Sequence, residues 1–307
     1  KELTFDIDKQ KEFSKYIAKL IGFDFNKGVI KESEHPFTLN FNNKDVRITT
    51  HYYEKNILSS IFSTIHEGGH AIYEQQIDDI VSETVLGEGT SMGIHESQSR
   101  IFENMFGRNI NFLKNIFNKF DELFDLRSKE IEVEDFYKIV NTVSKSLIRI
   151  EADELTYPIH IMIRYELEKE IFSNLDEIES SEYIDYLASK WGDMYEEFLG
   201  VKPITNSDGI LQDVHWSSGL FGYFPSYALG SAYAAQIYNS MNKEFNIEEN
   251  LLNGNFDNIN SFLKDKIHKF GKSKTPNELL ILATGEVFSP DYYINYLKEK
   301  YRKIYEI

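Results

Sequence analysis

Two histidines four positions apart, with a glutamate directly after the first, carry the clearest chemical signal in this sequence: His66-Glu67-Gly68-Gly69-His70. On a helix, positions i and i+4 lie about 40° apart around the axis and one turn apart along it. Both imidazoles then face one point and can bind one ion. Glu67 lies about 100° from His66 around the axis. It is placed to hold a water beside that ion rather than to ligate it. A divalent ion with two helical His ligands and a neighbouring Glu base is the chemistry of a metal-dependent hydrolase. The plainer alternative is two unrelated polar residues on a helix.

A third ligand is needed, and the chain has no cysteine. The ligand must therefore be His, Asp or Glu. Position 76 is Gln and no His lies between 71 and 94, so a third His six residues on is ruled out. The candidates are Glu74, Glu83, Glu88, His95, Glu96 and Glu103. Glu74 stays on the same helix and cannot close around the ion. The segment Gly93-Ile94-His95-Glu96-Ser97-Gln98-Ser99-Arg100 opens a new helix after a Gly-rich loop. Glu96 is the preferred third ligand. His95 is the runner-up, as a group behind the ligands or on the substrate side. The pair Gly68-Gly69 costs a helix interior about 1–2 kcal/mol relative to Ala. Close approach of substrate or of another helix would explain it.

The helix that carries these groups must be buried, and Ile57-Leu58-Ser59-Ser60-Ile61-Phe62-Ser63-Thr64-Ile65 is apolar enough to be so. Helical periodicity extends over about 1–23, 56–77, 93–107, 109–125, 134–174, 181–199, 225–243, 257–269, 276–285 and 290–305. Pro158 should kink or break the long central helix. Phe37 to Phe41 alternates, Asn42-Asn43-Lys44 reads as a turn, and Val46 to Thr49 alternates again, predicting one antiparallel hairpin. Glu177, Glu179 and Glu182 read as a solvated helical face. The fold class is mainly α with a small antiparallel β-sheet. No linker divides the chain, so residues 1–307 read as a single domain.

Composition restricts the partners. With 33 Lys and Arg against 50 Asp and Glu, formal net charge is −17, which disfavours nucleic acid and anionic membranes. The lack of cysteine excludes a disulfide framework and thiolate metal sites. No apolar run approaches the ~20 residues of a membrane span. Lys1 to Phe5 shows no signal-peptide core, though the sequence does not begin with Met. The expectation is a soluble, cytoplasmic protein.

Several further segments match one family. Besides the metal motif they are His35-Pro36-Phe37, Asp45-x-Arg47-x-Thr49, His95-Glu96-Ser97-Gln98, Ile148-Arg149-x-x-Ala152-Asp153, and Gly209-x-x-Gln212-Asp213-x-His215-Trp216. In these the chain resembles the carboxypeptidase Taq family of metallocarboxypeptidases, in the gluzincin group of zinc peptidases. The resemblance extends over essentially the whole chain. It implies a multi-helix gluzincin-type catalytic fold with the sheet beside the active-site cleft, a homodimer, and a Zn2+ ion, with Co2+ as the alternative. Chains of that family are longer, with an extra helical region before the His-Pro-Phe segment, where only 34 residues stand here. This chain is then a fragment or a shortened relative.

Peptide hydrolysis needs an activated water, a base, oxyanion donors and something to locate the substrate. A three-ligand zinc lowers the pKa of its water to about 7, and Glu67 would move the proton. His215 and Tyr223 are the oxyanion-donor candidates, with Tyr227 as the alternative phenol; related gluzincins place a His and then a Tyr downstream. Core packing is the plainer role for either tyrosine. Cleavage at a C-terminus needs a cation for the free carboxylate. The resemblance favours Arg149, expected on the long helix, over a plain ion pair with Asp153 four residues on; Arg47 is second. It also implies that the His35 and Asp45 segments close one end of the groove, although Asp45 and Thr49 could simply shape a turn. Asp213 and Trp216 would position His215, the Asp by a hydrogen bond. His160 and His268 belong to no motif and read as structural. The resulting expectation is a broad-specificity carboxypeptidase acting on peptides with a free C-terminus. An endo-acting or dipeptide-releasing oligopeptidase and a non-catalytic metal-binding or dimerisation fragment are the alternatives.

Overall fold

The structure, a computed structural model, describes residues 3–177 and 180–307. Lys1 and Glu2 of the expected first helix, and Glu179 with the Glu177 side chain, lie outside the described residues; Glu182 is exposed as expected. Two compact units are present, Lys1–Val140 with Gly230–Ile307, and Asn141–Leu229.

The first unit opens with α1 (Ile7–Ile21), capped by Asp6, whose side chain accepts from the Lys9 amide, and ended by Gly22 at φ 107°. Its buried stripe of Phe13, Ile17, Ala18 and Ile21 has helical spacing. Three strands follow: β1 (Gly28–Glu32), β2 (Thr38–Asn42) and β3 (Asp45–Thr50). Strands β2 and β3 form the expected antiparallel pair, with Thr38 opposite Ile48 and Asn40 opposite Val46. The sequence reading missed β1, a short half-polar segment that pairs in parallel with the other edge of β3. Buried Asn43 secures the turn, its side-chain amide donating to the Ile77 carbonyl at 2.8 Å and to Asp79 at 2.7 Å.

Next come α2 (Ile57–Gln75), α3 (Asp79–Ser82), α4 (Met92–Arg100) and a π-helix over Ile101–Gly107. Helix α2 is buried on most of its surface, packed against α1, β2, β3, α4 and the π-helix. Helices α5 (Ile110–Phe124) and α6 (Val133–Val140) add a phenylalanine cluster in which Phe120 stacks on Phe13 at 5.0 Å.

The second unit differs most from expectation. No helix runs over 134–174. After α6 the chain leaves the helix, makes a single 3-10 turn at Arg149–Glu151, and re-enters one at α7 (Tyr157–Ser173). Asp153 explains the break: its carboxylate accepts from the backbone amides of Leu155 and Thr156 and from Ser144, so it starts a helix instead of continuing one. Pro158 lies in the first turn of α7, where its missing N–H costs nothing, and produces no kink. Helix α8 (Ser181–Leu199) packs Trp191, Tyr195 and Leu199 onto Ile163 and Leu167 of α7. The remaining helices are α9 (Pro225–Glu244), α10 (Ile247–Asn253), α11 (Asp257–Lys266), α12 (Pro276–Thr284) and α13 (Asp291–Tyr305). Among the described residues, no helix is long and apolar enough to cross a membrane.

The paired glycines of α2 have different neighbours. A Cβ on Gly69 would stand 2.7 Å from the Gln98 carbonyl oxygen and 2.8 Å from Ser99 Cα, both α4 backbone; on Gly68 it would meet only the Ile21 terminal methyl, at 2.6 Å. Backbone cannot give way, whereas a terminal methyl can rotate. Gly69→Ala should destabilise the chain by about 1–3 kcal/mol, outweighing the gain of roughly 1 kcal/mol in helix propensity. Gly68→Ala should be neutral or stabilising. Denaturant unfolding of the two metal-free variants decides, and the reverse order would refute this account of the contact.

Candidate functional site

Helix α2 presents His66 and His70 toward Glu96 of α4. The Glu96 Oε2 atom lies 3.5 Å from His70 Nε2 and 4.0 Å from His66 Nε2, with the three side chains 5%, 12% and 19% exposed. All three ligand atoms fall within 4.8 Å of one another, and among the described residues this is the group that could hold a metal ion. Ligands each about 2.0–2.1 Å from a tetrahedral ion stand roughly 3.4 Å apart. The set is therefore slightly open and of the right donor chemistry. Gly230 lets α9 lie directly on Glu96, since a Cβ there would come within 2.6 Å of Glu96 Cβ.

Each ligand is held from behind. Arg100, four residues after Glu96, donates to Oε1 at 2.7 Å, which leaves Oε2 for the histidines. His66 Nδ1 is 2.8 Å from Glu103 Oε2, carried by the π-helix, and Arg108 donates to the other Glu103 oxygen at 3.1 Å. π-helical turns recur at functional sites. His70 Nδ1 is 2.6 Å from His95 Nδ1. Glu67 is buried, and the Thr38 hydroxyl of β2 donates to its Oε2 at 2.6 Å.

The charges are strongly coupled. Burial acts to raise the Glu96 carboxyl, but Arg100 with His66 and His70 holds it well below the usual carboxylate range. Glu103 is likewise depressed against its burial, by Arg100, His66 and Arg108. Burial opposes protonation of His66, yet Glu96 and Glu103 carry its pKa above the ordinary value. His70 goes the other way, lowered by burial with His95 and His66 adding to it.

The second unit gathers the other candidates. Arg149 is buried, and its Nε and Nη2 donate to Asp213 Oδ1 at 3.0 and 2.8 Å while Nη1 donates to the Tyr157 hydroxyl at 2.9 Å. The alternative ion pair with Asp153 does not form, because the Asp153 carboxylate accepts from the Ser144, Leu155 and Thr156 amides in the turn that leads into α7. Nor does Asp213 support His215: its Oδ2 accepts from Arg164 at 2.7 Å, so the carboxylate is shared by two guanidiniums. Gln212 binds the same pair, accepting from the Arg149 amide and from Arg164 Nη2. His215 Nε2 instead meets the Tyr227 hydroxyl at 3.1 Å, and its ring lies 4.3 Å from that of Phe224 and 5.4 Å from that of Tyr223. Burial, reinforced by Arg149, lowers the His215 pKa and so favours the neutral ring. Trp216 packs on Phe224 and donates to Glu168 at 2.7 Å. In the first unit, Arg47 is exposed on β3 and is held by Asp45 through two bonds of 2.8 Å. Thr49 joins its hydroxyl to the Ser33 hydroxyl and the Phe37 amide, which is the turn-shaping role.

Sequence reasoning missed Thr38 and Arg164 and gave Glu74 and Glu103 no place once Glu96 was preferred as ligand. Signals existed: Thr38 alternates with Asn40 toward α2, Glu74 follows His70 by four, and Glu103 follows Glu96 by seven. Arg164 sits in an apolar helix between Ile163 and Leu167.

A helix bearing His-Glu-x-x-His, with a carboxylate on the next long helix, defines a metallopeptidase-type centre on a mainly helical fold. A family model described as carboxypeptidase Taq (M32) metallopeptidase matches residues 1–301. Carboxypeptidase 1 of Bacillus subtilis is 48% identical over 303 residues, covering 98% of this chain and 59% of that protein. Thermostable carboxypeptidase 1 of Thermus thermophilus is 38% identical, over 98% of this chain and 58% of its own length. The crystal structure of the M32 carboxypeptidase from Deinococcus radiodurans superposes with a TM-score of 0.94 at 35% identity, covering 100% of this chain and 61% of that one. The chain belongs to the carboxypeptidase Taq (M32) family of metallopeptidases. It spans about three fifths of the length of these relatives. Membership implies a divalent metal ion.

The raised pKa of His66 sets a sign. Its folded-state value exceeds the unfolded one, so in the metal-free chain it contributes stability that is fully present below about pH 6.5 and is lost as pH rises through the raised value. The stability advantage of metal-free wild type over His66→Gln should therefore shrink as pH rises above about 6.5, measured by denaturant unfolding at each pH. An advantage that grows would show His66 to be buried in its neutral form.

Proposed function

We propose that this chain is a metal-dependent carboxypeptidase that releases C-terminal amino acids from peptides with broad specificity. The observation that carries the reading is the convergence of His66, His70 and Glu96 beside a buried Glu67 already oriented by Thr38. Zn2+ fits the two imidazoles and one carboxylate best, with Co2+ as the alternative, and it would supply Lewis-acid polarisation of the scissile carbonyl. Both curated relatives named above are carboxypeptidases. In this reading residues 1–307 act as one catalytic domain, in the cytoplasm and as a homodimer. The net charge of −17 argues against nucleic acid and anionic membranes as partners.

Glu67 takes a proton from the attacking water and returns it to the leaving amine as the peptide C–N bond breaks. His215, neutral through burial, and the Tyr223 phenol donate to the oxyanion, with Tyr227 as the alternative phenol. Arg149 receives the substrate's terminal carboxylate; two guanidiniums sharing the single Asp213 carboxylate leave that cluster net positive, which favours an anionic ligand. Arg47 is the second choice of anchor, and His95 acts behind His70. The engagement of Arg149 with Asp213 and Tyr157 favours one competing reading, an endo-acting or dipeptide-releasing peptidase that needs no terminal carboxylate.

Metal analysis with assays on a series of free-acid di- and tripeptides tests the proposal. Glu67→Gln should keep its metal, by elemental analysis, and lose about 10²–10⁴-fold in turnover. Near-full activity in a homogeneous preparation would remove Glu67 from the mechanism. Arg149→Ala should lower kcat/KM on free-acid peptides about 10–150-fold, the worth of a charge-assisted pair of roughly 1.5–3 kcal/mol, and should hardly change the low rate on C-terminally amidated peptides. An equal fall on both substrates would make Arg149 structural and promote Arg47; efficient cleavage of amidated peptides by wild type would favour the endo-acting reading.

A further inference from the structure

A chain of hydrogen bonds also runs behind His70, through His95 to Glu74. Glu74, one turn after His70 on α2, is 2% exposed. Its Oε1 accepts from the Gly89 amide at 2.9 Å and lies 2.7 Å from His95 Nε2, and its Oε2 accepts from the Asn40 side chain of β2 at 3.0 Å. Each oxygen is thus met by an amide N–H, which only donates. An ionised carboxylate only accepts, so the hydrogen between Glu74 and His95 belongs to His95 Nε2. A neutral imidazole protonated there has a bare Nδ1. That atom is 2.6 Å from His70 Nδ1, a separation that requires one hydrogen between the two rings. With His95 as a neutral ring, His70 supplies it. The bare nitrogen of His70 is then Nε2, the one that faces Glu96 Oε2 at 3.5 Å.

We propose that Glu74 and His95 are positioning residues that set the tautomer of His70 and so aim its lone pair into the metal centre. The inference rests on the metal site proposed above and does not need the peptidase activity. It assigns Glu74, which has no atom among the three ligands, a role in metal affinity, and it places His95 behind a ligand rather than on the substrate. Strand β2 enters the same line through Asn40, two residues from the Thr38 that holds Glu67.

The test measures cobalt(II) and zinc(II) dissociation constants of the chain by chelator competition. Glu74→Gln removes the obligate acceptor and can donate its amide to His95 Nε2, which would invert both tautomers. It should weaken binding about 10–100-fold and alter the visible absorption of bound cobalt. Glu74→Asp should recover part of the loss. Glu83→Gln, which removes the same charge from an exposed position nearby, should stay within about twofold of wild type, a small part of that loss. Binding by Glu74→Gln within twofold of wild type, or an equal loss in Glu83→Gln, would overturn the proposal. A second reading needs no variant: nitrogen-15 spectra of the metal-free wild type, labelled at its eight histidines, should show His70 protonated at Nδ1 and His95 at Nε2, and the opposite assignment would also overturn it. Wild type that binds no cobalt removes the metal centre and this inference together. Metal binding without peptide cleavage removes only the carboxypeptidase reading.

Discussion

Helices α2 and α4 can bring their ligands to one point only because Gly69 has no side chain to hold them apart. The histidines belong to one helix and Glu96 to the other, and the α4 backbone at Gln98 and Ser99 occupies the space that a Cβ on Gly69 would take. Axes of packed helices usually stand 8–10 Å apart, a spacing set by the side chains between them. A glycine at the crossing shortens the reach that each ligand needs. Gly230 does the same for α9, which rests on the Glu96 side chain. The carboxylate is thereby enclosed on the side away from the histidines.

Enclosure creates an electrostatic problem, because a buried carboxylate or imidazole is unfavourable unless it is paired. The structure resolves it with cations and hydrogen-bond donors: Arg100 on Glu96, Arg108 and His66 on Glu103, and the Asn40 and Gly89 amides with His95 on Glu74. The second unit shows the same logic with the signs exchanged, Arg149 and Arg164 converging on Asp213. Two segments far apart in sequence, Ile148-Arg149 and Gln212-Asp213, therefore meet because one side chain supplies what the other lacks.

The grouping of His66 and His70 with Glu67 beside them was legible because a helix converts spacing directly into direction, and it needed nothing beyond the period of 3.6. The β2–β3 hairpin was legible through its alternation and the Asn42-Asn43-Lys44 turn. Three things were not. Strand β1 pairs in parallel, and a parallel partner leaves no turn signature between adjacent strands. The break at 141–156 depends on Asp153 choosing backbone amides over a helical ion pair, a competition between nearly equal local options. The identity of Asp213's partners is a tertiary fact, and proximity in sequence pointed to His215 instead.

Strand β2 has a further consequence. Thr38 and Asn40 face the α2 carboxylates, while Phe37, Leu39 and Phe41 are exposed on the opposite face. A slip of one residue would exchange the faces, setting phenylalanine and leucine against Glu67 and Glu74 and removing the Thr38 donor from one carboxylate and the Asn40 donor from the other. The strand lies at the edge of its sheet, bonded on one side alone, and such edges open more readily than a core helix. What prevents the slip is the irregularity between Asn40 and Asn42 together with buried Asn43, which clamps the turn to Ile77 and Asp79. The geometry around Glu67 and Glu74 is thereby delegated to an asparagine that touches neither carboxylate, acting as a ratchet pawl for the strand.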